Sequence, residues 1–552
     1  MKGLFCLLIL CFSTILCAQP NYHQHHTFSK ADTLRGALRP ERTAYDVTFY
    51  ELDIKLDIDK RFISGHVDIH YDAIRFFSRV QIDLYENMNL ERIEFKGKNL
   101  KFERIHNAVF IDFPRQKKGS SGQFRVHYSG YPTVAKQAPW DGGFVFDQHE
   151  GKPWVGVACE GAGASLWWPN KDHLSDEPDS MAIRIAVKEE LTVASNGNLR
   201  GTTSLSDGYK RFDWFVSYPI NNYNVSITVA DFAHFSDTYV AADGEELALD
   251  YYVLPENLDK AKQQFQQVPK MLACFEKYLG KYPFWNDGYS LIETPYLGME
   301  HQSGIAYGNQ YMRGYLGGMI PRDMDWDYII IHETGHEYFG NALSVNDHAE
   351  MWIHESFTTY LESIYVECVY SYEDAMRYLR SQRGMVMNRE PMLGPLEVNF
   401  EDFSSSDHYF KGALMLNNLR HAINDDEVWF DCLKSFYQRY SVGHAKTQDF
   451  IDYVNHCTKA DYSAFFEQFL EHPNLPTFEY EIKEMGKQKT ELRYRWQADA
   501  INFSMPLLVG TKGDYHKIQP TTEWQTITLE LEAADFKVAD ELFYINIEHP
   551  EF

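Results

Sequence analysis

The sequence predicts an α+β protein of several domains: a β domain over residues 41–245, a mostly helical domain over 246–475, and a small β domain over 476–552. Three observations carry this. Apolar and polar residues alternate with period two from Tyr45 to about Val229, the apolar spacing becomes three and four from about Asp250, and short alternating runs return after Pro473 and Pro476. A chain of 552 residues with 44% hydrophobic content can bury a core in each domain.

Lys2 precedes an apolar run from Gly3 to Leu16, and small residues stand before Gln19, so residues 1–18 read as a secretory signal peptide. The run is short for a bilayer span. Leu16 in front of Cys17 fits a lipoprotein cleavage site poorly, so the chain is expected to be exported, periplasmic or secreted, without a lipid anchor. Residues 19–40 are polar and carry His23, His25 and His26; a flexible leader is expected rather than a metal site.

Leu52, Ile54, Leu56 and Ile58 then alternate with Glu51, Asp53, Lys55 and Asp57, and the pattern recurs around Val67, Ile69 and Tyr71 and around Val80, Ile82 and Leu84. These are half-buried antiparallel strands. The stretch Ala158-Cys159-Glu160-Gly161-Ala162-Gly163-Ala164 breaks the pattern. Small residues around a lone Glu160 suit a loop that brings a carboxylate to a ligand, although an exposed loop acid is the plainer reading of these residues alone.

Leu258 to Leu279 has helical spacing, Tyr289 to Ile292 reads as a strand, and Gly298-Met299-Glu300 follows among glycines as an edge strand. Next comes His332-Glu333-Thr334-Gly335-His336 in apolar sequence, with Gly340-Asn341 as a helix stop. Two histidines four apart share one helix face, so both imidazoles reach one tetrahedral ion while Glu333 faces the same space as a base. Glu355 lies eighteen residues beyond His336 on a second helical stretch, roughly Glu350 to Cys368. A third ligand from there leaves the fourth position to water, as catalytic zinc requires. Helical sequence continues through Asp407 to Leu414 and on to about Leu470, and the tail reads as short strands.

A net charge of -27 argues against binding to nucleic acid or to an anionic membrane. Of eight cysteines, Cys6, Cys11 and Cys17 fall in the signal segment, and the five others show no CxxC spacing. They indicate neither a disulfide framework nor a thiolate metal site, although one pair has the option of bridging after export.

The ordered set Gly298-Met299-Glu300, His332-Glu333-x-x-His336 with Glu355, and Tyr409-x-Lys411-Gly412 resembles the zinc aminopeptidases related to aminopeptidase N and the leukotriene hydrolases. Trp168-Pro169 to Asp176-Glu177-Pro178 looks like that family's amino-terminal domain, and the resemblance covers about residues 40–475. It implies a saddle-like β domain, a thermolysin-like catalytic domain and a β-sandwich. It also implies one Zn2+ per chain held by His332, His336 and Glu355, with Glu333 as base and Tyr409 stabilising the transition state. Gly298, Met299 and Glu300 would bind the substrate, Glu300 gripping the free amine of a peptide, with Glu160 as a second amine-binding position. Two alternatives stand beside this reading: an endopeptidase with an idle Glu300, and an exported binding protein with an inactive peptidase domain. His301 and His354 stand where the family usually has Asn, Ser356 where it has Gly, and the chain ends without the large helical domain many relatives carry.

Overall fold

The computed structural model describes residues 26–401 and 403–549. The expected signal segment and the first part of the leader lie outside these residues.

The amino-terminal domain is built on an eight-stranded sheet in the order Asn198–Ser204, Tyr209–Val216, Ser180–Lys188, Tyr45–Asp57, Phe62–Ala73, Ser121–Gly130, Met88–Phe95, Lys98–Asn99. Leu52, Ile54 and Leu56 are buried while Glu51, Asp53 and Lys55 stay half-exposed, as period two requires. A four-stranded sheet, Thr192–Ser195, Ile227–Ala230, Lys152–Ala158 and Gly143–His149, lies nearer the cleft. Its strand Lys152–Ala158 runs directly into the Glu160 loop.

Where it is described, the expected leader carries helix and packs on the β domain. Ser29 caps the helix Lys30–Gly36 in a reciprocal box with Asp32, and Pro40–Thr43 forms a further turn of helix. Arg42 is fully buried, pairs with Asp83 at 2.7 Å and donates to the Arg35 carbonyl at 2.6 Å. The segment is anchored by charged side chains and by a single leucine, Leu34, packed on Ala108 and Phe110, with no repeating apolar stripe, so hydrophobic periodicity gave no sign of it.

The second domain opens on a five-stranded sheet in the order Ala233–Val240, Glu246–Val253, Tyr289–Glu293, Gly304–Tyr307, Gly298–Met299. Its first strand starts at Ala233, ahead of the boundary expected at 246. The hairpin Ala233 to Val253 repeats the period of the strands before it, so the change of domain leaves no trace in the pattern. The run expected as one helix is two, Leu258–Gln264 and Val268–Tyr278, the second with proline in its first turn. Helices Tyr328–Tyr338, Trp352–Val369 and Asp407–Ile423 form the centre of this domain and are almost wholly buried.

The tail is a two-sheet unit: Gln525–Leu529, Lys489–Gln497, Thr477–Gly486 and Asn546–Glu548 in one sheet, Asp514–Ile518, Leu507–Thr511 and Lys537–Val538 in the other. Two disulfides form, Cys274–Cys368 and Cys432–Cys457, where at most one was expected; Cys159 is free and buried. Their partners lie 94 and 25 residues apart, so only the helix packing brings them together. Among the described residues no helix is long and apolar enough to cross a membrane.

Candidate active site

The helix Tyr328–Tyr338 begins at Asp327, whose side chain accepts the amides of Ile329 and Ile330 and also the Tyr307 hydroxyl at 2.7 Å. One carboxylate thus caps the helix and ties it to the sheet. The helix places His332 and His336 one turn apart with their Nε2 atoms 3.2 Å from each other. Glu355, from the first turn of Trp352–Val369, brings Oε2 to 3.6 Å from His332 Nε2 and 3.3 Å from His336 Nε2.

Those three donors fit zinc. Arms of about 2 Å at tetrahedral angles set ligand atoms roughly 3.3 Å apart. The Nδ1 atoms face other acceptors, the Glu362 carboxylate at 2.6 Å for His332 and the Phe339 carbonyl at 3.0 Å for His336. Both Nε2 lone pairs are then left for the centre. Glu355 Oε2 is buried without a hydrogen-bond partner, an expensive state that a cation relieves. Burial opposes charge on the two imidazoles, yet Glu355, with Glu362 beside His332, outweighs it; His332 is held well above the ordinary value and His336 at about 9. The pocket therefore asks for positive charge.

Glu362 was not singled out from the sequence. It lies seven residues after Glu355, two turns along the same helix face, so the spacing did contain a signal. Its second oxygen accepts the Tyr378 hydroxyl at 2.5 Å.

Glu333 is buried, and burial pushes its carboxyl up to about 8 against the pull of His332. Gly298 and Met299 form the edge strand expected of them, and a Cβ on Gly298 would stand 2.7 Å from Glu333 Oε1. Glycine is needed there because the strand passes so close to the base. Glu300 follows, buried, its Oε1 accepting the Tyr223 hydroxyl at 3.0 Å. Its backbone carbonyl accepts from Asn341 Nδ2 at 2.7 Å, which registers the strand against the end of the metal-site helix. One ligand atom each from Glu300, Glu333 and His336 lies within 4.8 Å of the others.

Tyr409 lies in the first turn of the helix Asp407–Ile423, its ring 6.0 Å from that of His332. Burial and the Glu355 charge hold its hydroxyl protonated, well above the ordinary tyrosine value. The replacement of Gly by Ser356 is absorbed across this helix: its hydroxyl occupies the space a Cβ on Gly412 would fill and donates to the His408 carbonyl at 2.6 Å. His354 Nε2 accepts the Val345 amide at 3.0 Å and so braces the loop after the first helix. His301 is buried with Nε2 unpartnered, and burial holds it down at about 3.

The structure brings Glu160 into the same cleft, which spans about 810 Å³ and is lined also by Tyr315, Met319, Tyr328 and Phe403. Burial, then Glu300, Glu355 and Glu333, push its carboxyl well above the ordinary range. Glu160 is half-buried in the lining of this cleft and does not stand as an exposed loop acid, and each of the residues expected to bind metal, bind substrate or act in catalysis lines the same cleft.

Residues 263–469 match the peptidase family M1 domain. The chain is 22% identical over 507 residues to aminopeptidase N of Lactobacillus helveticus, covering 82% of this chain and 58% of that protein. It is 22% identical over 283 residues to aminopeptidase N of Escherichia coli K12, covering 49% and 32%. The chain thus spans between about a third and three fifths of these relatives' lengths. The M1 zinc metallopeptidase from Deinococcus radiodurans, in a mutant bound to a Tyr-Ser-Ala substrate, superposes with a TM-score of 0.66 at 19% identity, covering 80% of this chain and 98% of that one. These matches follow the geometry already described: residues 263–469 match the peptidase family M1 domain, and the fold is that of the M1 zinc metallopeptidase.

Proposed function

We propose that the protein is an exported zinc aminopeptidase that hydrolyses the first peptide bond of peptides with a free amino terminus. The observation that carries this reading is the adjacency of Glu300 to the metal-site histidine His336 and to Glu333. A buried carboxylate takes a charge-assisted hydrogen bond from the substrate's ammonium and fixes its distance from the reacting carbonyl, so only the first peptide bond fits the gap.

His332, His336 and Glu355 would hold the metal. Zinc, when bound, supplies Lewis-acid polarisation of the carbonyl and acidifies water. Glu333 takes the proton of the attacking water and passes it to the leaving amine. The Tyr409 hydroxyl, kept protonated, donates to the oxygen on which negative charge grows. Glu300, with Glu160, receives the ammonium. No covalent intermediate is needed.

Export is supported by the apolar run from Gly3 to Leu16 and by the two disulfides, which persist in oxidising compartments and are rare in the cytosol. Cleavage of aminoacyl fluorogenic amides and of their amino-acetylated counterparts, with and without chelator, tests the reading. Free-amine substrates should be cleaved and chelator should abolish the reaction; equal rates on acetylated peptides would instead make it an endopeptidase.

A further inference from the structure

Glu160 sits in a cleft with Glu300, Glu333 and Glu355, whose charges all oppose its own. No described residue donates a hydrogen bond to its carboxylate, so a loose loop would let it swing toward water, where its charge costs less. What holds it is the backbone on either side. Gly163 N donates to the Cys159 carbonyl at 2.6 Å, closing a tight turn around Glu160, and the Tyr85 hydroxyl donates to the Ala162 carbonyl at 2.8 Å. Between them, Gly161 O accepts from Arg35 Nη2 at 2.6 Å and from Asn399 Nδ2 at 3.3 Å.

Arg35 comes from the amino-terminal segment, 126 residues away in sequence. It lies on the helix Lys30–Gly36, and that helix is itself seated firmly. Arg42 Nη1 donates to the Arg35 carbonyl at 2.6 Å, His173 Nε2 donates to the Gly36 carbonyl at 3.0 Å, and Gly36 lies flat on the backbone of Val398 and Asn399. The guanidinium also faces Glu401, another cleft-lining carboxylate, at 3.9 Å. The segment is thus a strap that reaches from the first β strand to the back of the Glu160 loop.

We infer that Arg35 is a positioning residue for recognition of the substrate's amino terminus, acting through the Gly161 carbonyl to keep Glu160 in the cleft. This rests on the reading of Glu160 and Glu300 as ammonium acceptors. A charged donor to a backbone carbonyl is worth enough to set loop position, and its loss should appear in binding of the free amine more than in the chemical step.

The test uses the full chain in a Glu333→Gln background, so that peptide binding is read by calorimetry without turnover, with tri-alanine and acetyl-tri-alanine as probes. Arg35→Met should weaken tri-alanine binding about tenfold, and Arg35→Lys and Asn399→Ala by about threefold each, with little change for the acetylated peptide. In active protein the same Arg35 changes should raise KM by similar factors while kcat stays within about threefold. The decisive comparison is a cycle with Glu160→Gln: once Glu160 cannot accept the ammonium as an anion, Arg35→Met should cost nothing further. An equal loss in both backgrounds, or no loss in either, overturns the inference. Should Arg35→Met fail to fold, Arg35→Lys and Asn399→Ala carry the same cycle. If the parent binds both peptides alike, the amine-binding reading itself has failed and takes this inference with it, an outcome separate from an intact amine preference that ignores Arg35.

Discussion

Replacing Glu362 tests whether the metal centre is tuned from outside its three ligands. Glu362 is fully buried, and its two oxygens serve His332 Nδ1 at 2.6 Å and the Tyr378 hydroxyl at 2.5 Å. The carboxylate fixes the imidazole tautomer that leaves Nε2 free and makes that nitrogen more basic. Outer-shell partners of this kind are typically worth about 10- to 100-fold in metal affinity, or roughly 1.4–2.7 kcal/mol. Glu362→Gln keeps an acceptor for His332 but removes the charge, so it belongs near the lower figure. Glu362→Ala removes both and strands the Tyr378 hydroxyl in the core, which places it near the upper. Competition with a chromogenic chelator at fixed free zinc measures the change directly, and thermal unfolding with excess zinc checks that the fold survives. Tyr378→Phe, which releases only the outer end of the chain, should cost less and should add nothing once Glu362 is already Ala. A folded Glu362→Ala protein that binds zinc within twofold of the parent would refute the reasoning, because the His332 orientation would then be set by packing alone.

Tyr409→Phe should lower kcat by about 10²–10³ with KM little changed, since the hydroxyl meets charge only in the transition state; steady-state kinetics on one aminoacyl amide decides it. His421 Nε2 accepts the Tyr372 hydroxyl at 2.7 Å and its Nδ1 donates to the Asn417 carbonyl at 2.8 Å, and burial holds the ring down at about 4. The unfolded chain takes up that proton first, so stability is full above about pH 6.5, falls as pH drops from there to about 4, and is down by roughly 2 kcal/mol at pH 5. Denaturant titrations at pH 7 and 5 should show a smaller acid loss in His421→Gln. Reduction should cost up to about 4–5 kcal/mol for Cys274–Cys368 and 3–4 for Cys432–Cys457, given loops of 94 and 25 residues, as read from the denaturant midpoint with and without reductant.

What the sequence made legible has one physical character. His332, Glu333 and His336 are organised by the repeat of a single helix, and Glu300 by a strand two residues long, so local spacing is enough to place them. Glu362 obeys the same rule and was there to be read two turns beyond Glu355. The Glu160 loop and its strap follow a different rule. Arg35 and Arg42 are held by ion pairs and by hydrogen bonds to backbone carbonyls, contacts that leave no periodic apolar mark and that join residues 41 to 130 positions apart. Patterning detects segments that fold because their side chains leave water, and it therefore reads residues 19–40 as a flexible leader. Yet a polar strap is what a site of this kind calls for. An apolar staple behind Glu160 would deepen the burial that already opposes four clustered carboxylates, whereas an arginine steadies the loop and supplies positive charge at the same stroke. The segment that composition ranks as least structured thus holds the loop that carries Glu160 into the cleft.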